Sequence, residues 1–238
     1  MRAFKIIAHR GASAYEPENT LRAIARAIGF GADMAEVDAH STKDDQLVVI
    51  HDAKVDRTTN GKGVVTEMPL QEIRKLDAGR GEKVPTLQEV LRLSRNKIGV
   101  MIEVKGVGIE SLLVDLLQAE NAIKQVIVTS FKTDAIRKVK ELDSRIQTGR
   151  IFSREIRNVA RKAMDLRASC MVPQYELITS KIVEELHAHR LSVFTWTVDS
   201  RYEAERLVEL GVDGIITNKP DLMLNEEKSA IHNKKVKK

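Results

Sequence analysis

Short apolar runs alternate along the chain with longer stretches whose apolar positions recur every three or four residues. The short runs predict strands at Lys5–Ala8, Met34–Asp38, Gly99–Val104, Val126–Ser130, Arg145–Gly149, Ser169–Val172, Ser192–Val198 and Asp213–Thr217. The longer stretches predict amphipathic helices. Leu21, Ile24, Ala25 and Ile28 stand at i, i+3, i+4 and i+7, with Asn19 or Thr20 as the expected cap. Leu112, Leu113, Leu116 and Leu117 mark another helix, and Ile182, Val183 and Leu186 one more. Thr86-Leu-Gln-Glu89 and Ser200-Arg-Tyr-Glu203 read as capping boxes, in which hydroxyl and carboxylate satisfy the first free amides of a helix. Regular alternation of strand and helix implies βα units and a parallel sheet. Eight such units in 238 residues imply a closed (β/α)8 TIM barrel.

One segment breaks the rhythm. Thr42–Gln46 is a polar turn, and Leu47–His51 is a further strand with no room for a helix before it. That strand is expected to pair antiparallel with an extension of the second strand, as a hairpin. The next residues, about 52–83, are polar and rich in Thr, Gly and charge, with one short helix near Leu70–Leu76. They read as a small insertion from the top of the barrel and not as a second domain. The barrel is assigned to residues 1–225 and a lysine-rich tail to 226–238.

Composition narrows the class. At 42% hydrophobic and 31% charged the chain has ordinary globular usage, which excludes disorder as the main reading. No stretch reaches the roughly 18 apolar residues that span a bilayer, and Ile6–Ala8 is too short for a signal-peptide core. The net charge of +5 is concentrated at one end: Lys234–Lys238 hold four lysines, and without them 35 basic residues face 34 acidic ones. A basic tail on a neutral body is a solvated end, so no nucleic-acid partner is expected. The one cysteine, Cys170, lies in an apolar strand, where it is expected to be buried and inert. A lone cysteine fits a reducing compartment, and the expectation is a cytoplasmic protein.

Chemistry-bearing residues collect at the carboxyl ends of the predicted strands. His9 and Arg10 end the first strand, Glu36 and Asp38 the second, His51 and Asp52 the hairpin strand, and Glu103 and Lys105 the third barrel strand. A barrel brings these ends to one face, where its active sites form. Glu36 and Asp38 are i and i+2 on a strand and share a face, as do Glu103 and Lys105. Three converging carboxylates repel unless something positive sits among them. A divalent cation answers that need, and an all-oxygen set favours Mg²⁺, Ca²⁺ or Mn²⁺ over Zn²⁺. The plainer alternative is that Glu103 pairs with Lys105 or Arg10. His9 and His51 at one rim can supply a base and an acid near neutral pH. His40, on the face of Glu36 and Asp38, is assigned a supporting role. His187 and His189 fall on a polar helix face and His232 in the tail, all as surface residues.

His9-Arg-Gly with Pro17-Glu-Asn-Thr20, Glu36-Val-Asp38, His51-Asp52 and Glu103-Val-Lys105 together resemble the glycerophosphodiester phosphodiesterase family, metal-dependent enzymes on a (β/α)8 barrel. Further landmarks are Thr58–Gly61, Val84–Leu91, Ser130-Phe131, Thr195–Thr197 and Gly211–Thr217, so the resemblance runs over nearly the whole chain. It implies hydrolysis of a small glycerophosphodiester to an alcohol and glycerol phosphate. By the same resemblance Glu36, Asp38 and Glu103 hold one divalent cation, His9 and His51 serve as general base and acid, and Arg10 and Lys105 meet the phosphate. Phe131 and Trp196 then wall the alcohol pocket, unless they serve rim packing. Glu18 and Asn19 orient Arg10 or His9, or cap the first helix. Two positions depart from the family's usual residues: Asp199 stands where many relatives have Asn, and Asn218 where many have Asp. Both are expected to bear on substrate fit.

Three rivals follow from the same residues. A phospholipase D-like lyase would use both histidines but stop at a cyclic phosphate. A Schiff-base aldolase would use Lys105 as nucleophile. A binding protein without catalysis would have no need for two histidines and three carboxylates at one rim. Oligomeric state is not legible in the sequence.

Overall fold

The computed structural model describes residues 4–222, so the lysine-rich tail, His232 and the domain boundary at residue 225 lie outside the described residues. The strands are β1 (Lys5–Ala8), β2 (Met34–Ser41), β3 (Leu47–Val49), β4 (Gly99–Val104), β5 (Val126–Ser130), β6 (Gln147–Phe152), β7 (Cys170–Pro173), β8 (Ser192–Thr195) and β9 (Gly214–Thr217). The helices are α1 (Leu21–Phe30), α2 (Leu70–Ile73), α3 (Leu87–Ser94), α4 (Glu110–Ala119), α5 (Thr133–Leu142), α6 (Val159–Asp165), α7 (Ser180–Ala188) and α8 (Arg201–Glu209). Eight strands pair in parallel in the order β1-β9-β8-β7-β6-β5-β4-β2, and a β1–β2 pairing closes the ring. This is the expected (β/α)8 barrel. The ninth strand, β3, pairs antiparallel with the end of β2, Ala39 against Val49 and Ser41 against Leu47, as the expected hairpin outside the ring.

The barrel is filled by side chains. Ile7, Met34, Met101, Ile127, Ile151, Cys170, Val172, Phe194 and Ile216 form one buried cluster contributed by every barrel strand. Fully burying such a side chain contributes about 1.5–3 kcal/mol. Two residues further along a strand the side chain points inward again, one layer nearer the carboxyl rim. Ile7 is thus followed by His9, Met34 by Glu36, Met101 by Glu103, Phe194 by Trp196 and Ile216 by Asn218. Each polar residue stands on an apolar one that fixes its strand's depth.

Several local expectations shift. The fifth barrel strand, β6, runs Gln147–Phe152, not Arg145–Gly149, because Gly149 and Ile151 are the interior positions. Gly149 is required there: a Cβ would lie 2.4 Å from Cys170 Sγ. Thr86 and Glu89 do form a capping box on α3, but at α8 Ser200 caps with no side-chain bond and Glu203 turns to Arg206 instead. Thr20, not Asn19, caps α1, accepting from Ala23 N. His187 and His189 are both exposed, as expected; His187 Nε2 sits 2.9 Å from Asp213 Oδ2, and His189 Nδ1 bonds its own helix at Glu185 O. The polar insertion carries its own small core of Val55, Val65, Ile73, Ala78 and Val84 against Val48 and Ile50 of the hairpin. That packing fixes the hairpin and thereby His51. Among the described residues no helix is long and apolar enough to cross a membrane.

Candidate active site

The carboxyl ends of the strands surround a cavity of about 210 Å³. One wall is polar and carries His9, Arg10, Glu36, His51, Glu103 and Lys105; the other is apolar, with Phe131, Trp196, Ile151, Val172 and Ile216. All the residues singled out as catalytic, phosphate-binding or pocket-lining meet here.

Glu36, Asp38 and Glu103 are all buried, and an oxygen of each lies within 4.8 Å of the others. Burial pushes the Glu36 carboxyl well above its usual range, and the charges of Asp38 and Glu103 push it further. Burial likewise raises Glu103 to about 7, with Lys105 opposing and Asp38 adding. Lys105 Nζ lies 2.7 Å from Glu103 Oε1 and 3.5 Å from Asp38 Oδ1. So the plainer pairing of Glu103 with Lys105 is present, and the Arg10 guanidinium lies 3.4 Å from Asp38, yet two cations against three carboxylates still leave one in excess. Three buried carboxylates of this kind can hold a metal ion, and hard oxygen donors without Cys or His suit a hard cation.

The strand geometry behind this cluster is tightly determined. Arg10 and Asn19 both adopt left-handed backbone, at φ 54° and 59°. Arg10 N thereby donates to Glu36 Oε2 at 2.9 Å, and Asn19 Nδ2 donates to Asp38 Oδ2 at 2.8 Å. The Asn19 side chain accordingly orients Asp38, while its backbone N donates to Arg10 O at 2.9 Å. Next to Arg10, Gly11 has φ 77°, and a Cβ there would meet the Ala23 backbone at 2.6 Å. Glu18 does orient Arg10, accepting from Nη1 at 2.8 Å. Arg10 Nε stays buried with no hydrogen bond, 3.4 Å from Asp38. Arg10 itself lines the cavity.

The two histidines have different partners. His9 Nδ1 lies 2.7 Å from Asn218 Oδ1. Burial holds the His9 ring below the usual imidazole range, and Arg10 adds to this against weaker opposing effects of Asn218, Asp38 and Asp199. His51 Nδ1 lies 2.5 Å from the carboxylate of Asp52. Arg57 Nε grips the same carboxylate at 2.7 Å and sends both terminal nitrogens to Glu18 at 2.9 and 2.8 Å. Arg57 first, then His51, hold the Asp52 carboxyl far below its usual range. His40 plays the supporting part assigned to it: its Nε2 donates to His51 O at 3.1 Å.

Phe131 and Trp196 stack edge to face with centroids 5.6 Å apart, and Trp196 Nε1 donates to Val172 O at 3.1 Å. Lys105 Nζ lies 5.9 Å from the Phe131 ring centre. Asp199 and Asn218 do not line the cavity; they lie behind His9 and not at the substrate face. Reasoning from sequence missed Arg57, which stands in the polar insertion with no periodic signal. Asn218 had a signal, two residues beyond the inward Ile216, that pointed to the rim.

Residues 9–222 match the Glycerophosphoryl diester phosphodiesterase family. The chain belongs to this family. It is 40% identical over 233 residues to the glycerophosphodiester phosphodiesterase of Caldanaerobacter subterraneus, covering 92% of this chain and 96% of that protein. The glycerophosphodiester phosphodiesterase of Bacillus subtilis is 34% identical over 245 residues, covering 91% and 84%. Among solved structures, an Oleispira antarctica phosphodiesterase in complex with the product sn-glycerol-3-phosphate superposes with a TM-score of 0.83 at 26% identity, covering 96% of each chain. These relatives are named phosphodiesterases, so the lyase reading is not favoured. The aldolase reading is likewise not favoured: the Lys105 ammonium is engaged by Glu103 at 2.7 Å and by Asp38 at 3.5 Å.

Proposed function

We propose that the chain hydrolyses small glycerophosphodiesters to an alcohol and glycerol phosphate at the carboxyl rim of its barrel. The observation that carries this reading is the convergence of His9 and His51, each held through Nδ1, beside three crowded carboxylates in one cavity. Glu36, Asp38 and Glu103 hold a divalent cation, for which Mg²⁺ or Ca²⁺, and next Mn²⁺, suits the oxygen set. When bound, such an ion neutralises phosphate charge and stabilises the charge that builds up in the transition state.

His9, neutral and hydrogen-bonded to an amide, presents Nε2 as general base and takes the proton from the attacking oxygen. That oxygen belongs to water or to the glycerol hydroxyl beside the phosphate. His51 donates from its cavity-facing nitrogen to the departing alkoxide as the bond from phosphorus to the alcohol oxygen breaks. The Asp52 carboxylate, fixed by Arg57, matches the positive charge this ring carries before donation. Arg10 and the Lys105 ammonium meet the phosphate oxygens. Phe131 and Trp196 wall the glycerol or alcohol end. The lone buried Cys170 supports a reducing, cytoplasmic setting, and turnover of such diesters belongs to glycerol and lipid metabolism.

A panel of glycerophosphodiesters assayed for glycerol phosphate, with the divalent ion varied, tests the reading. Release of glycerol phosphate that depends on the ion and disappears in His9→Ala supports it. No turnover of any member of the panel overturns it.

A further inference from the structure

At the carboxyl end of β9 a hydrogen-bonded pair stands directly behind His9. Asp199 Oδ1 accepts from Asn218 N at 2.8 Å and from Thr217 Oγ1 at 3.0 Å, and its Oδ2 accepts from Asn218 Nδ2 at 2.5 Å. A carboxylate only accepts, so the amide nitrogen of Asn218 must face Asp199 and its oxygen must face His9. That oxygen receives His9 Nδ1 at 2.7 Å, and the single Ser13 hydroxyl proton is shared between it, at 2.7 Å, and His9 O, at 2.8 Å. An amide oxygen also only accepts, so the proton of the neutral ring sits on Nδ1 and the lone pair on Nε2. Each bond in this chain has one possible direction, and the charge of Asp199 sets them all.

We infer that Asp199 and Asn218 are positioning residues that lock His9 in its Nδ1–H tautomer and keep their negative charge one hydrogen bond away from the ring. The inference rests on the reading of His9 as the general base. An amide in contact with Nδ1 fixes the tautomer without strongly favouring the protonated ring. A carboxylate in the same place would fix it equally well but would hold the ring's second proton to higher pH, removing base at neutral pH. The other charged groups around His9 are Arg10, which disfavours the charged ring, and Asp38, which favours it. Across the cavity stand His51, Glu36, Glu103 and Lys105.

Three variants separate the two functions of the pair: Asp199→Asn, Asn218→Asp and the double exchange, which keeps every hydrogen bond and reverses only the one between the two side chains. The readouts are ¹⁵N–¹H spectra of ¹⁵N-histidine-labelled protein, with His9 assigned by its loss in His9→Ala, and kcat and KM for a glycerophosphodiester against pH. In the native chain His9 is expected in the Nδ1–H form. Asp199→Asn lets the Asn218 amide turn over, so the Nε2–H form appears and kcat drops about tenfold or more with KM little changed. Asn218→Asp and the double exchange keep Nδ1–H but move the acid limb of the profile up by about one pH unit. The double exchange also recovers the kcat lost in Asp199→Asn, which distinguishes positioning from general loss of fold. A native His9 in the Nε2–H form, or an Asp199→Asn protein with unchanged tautomer and kcat, overturns the inference. The spectra do not depend on turnover, so a protein inactive on every glycerophosphodiester but locked in Nδ1–H would remove the proposed function alone.

Discussion

At the amino-terminal end of the barrel an open groove of about 950 Å³ includes Glu120, Arg95 and Lys124 on its walls. There Glu120 accepts from Arg92 and Arg95 at 2.7 Å each and from Gln88 at 2.7 Å, and Arg92 first among these holds its carboxyl below the usual range. At the carboxyl-terminal end, Glu36 and Glu103 face Asp38 and each other with Lys105 and Arg10 beside them, and burial still pushes their carboxyls up. The groove at the amino end is the larger, yet its carboxylate is satisfied by the chain itself. At the rim, burial and mutual repulsion outweigh the partners that the chain supplies. A buried charge left short of partners is retained only where something outside the chain completes it. Volume therefore points to one end of the barrel and electrostatics to the other. The electrostatics locate the chemistry.

Substitutions at the two ends should behave in opposite ways. The largest effect is expected at the rim histidines. His9→Ala should lose about 10²–10⁴-fold in kcat whatever the leaving group, because the attacking oxygen still needs its base. His51→Ala should lose comparably with a glycerophosphodiester but far less with a p-nitrophenyl ester, whose phenolate leaves without a proton. Both should melt close to the native protein. Equal losses on both substrate types would show that the roles are misassigned.

Glu36→Gln keeps the shape and removes one of the crowded charges. Its divalent-ion affinity, read by calorimetry, should weaken by at least the roughly 10–100-fold that loss of an outer partner of a metal site typically costs. In chelator the same variant should melt higher than the native chain, since repulsion is relieved. A lower melting temperature in chelator would contradict the repulsion.

The pH dependence of the ion-free protein gives a smaller effect whose sign is fixed. The folded state keeps the Glu103 proton up to about pH 7, while the unfolded chain releases it in the usual carboxylate range. The folded state therefore binds more protons between those values, and stability present at low pH is lost as pH rises through about 7. Melting temperature in chelator should fall across that window, and a saturating divalent ion should abolish the fall. The smallest effect on activity belongs to the amino-terminal end: Glu120→Gln should lower the melting temperature by about a few degrees and leave kcat unchanged.

How much of this was legible beforehand follows from period two. Met34, Glu36 and Asp38 share one face of β2, and Met101, Glu103 and Lys105 one face of β4 and its continuation. A strand pattern alone therefore places the carboxylates and Lys105 on the barrel interior. The hairpin carrying His51 was legible because Thr42–Gln46 leaves no room for a helix. What pattern cannot give is the partner of a side chain that crosses between distant segments. Asn19 looks like a helix cap and instead reaches Asp38, because its left-handed backbone turns it inward. Arg57 joins Asp52 to Glu18 across 39 residues, and Asn218 meets His9 across 209. The strand at Gln147–Phe152 was misplaced by two residues because Gly149, an interior position there, carries no apolar side chain to signal it.

The most direct test is the rate of glycerol phosphate release from a glycerophosphodiester by the native chain after exhaustive chelation, followed by return of Mg²⁺, Ca²⁺ or Mn²⁺ in turn. Activity should vanish on chelation and return with at least one of these ions, and Glu36→Gln should require a higher concentration of that ion. Full activity in the chelated protein would contradict the claim that the three rim carboxylates exist to hold a cation.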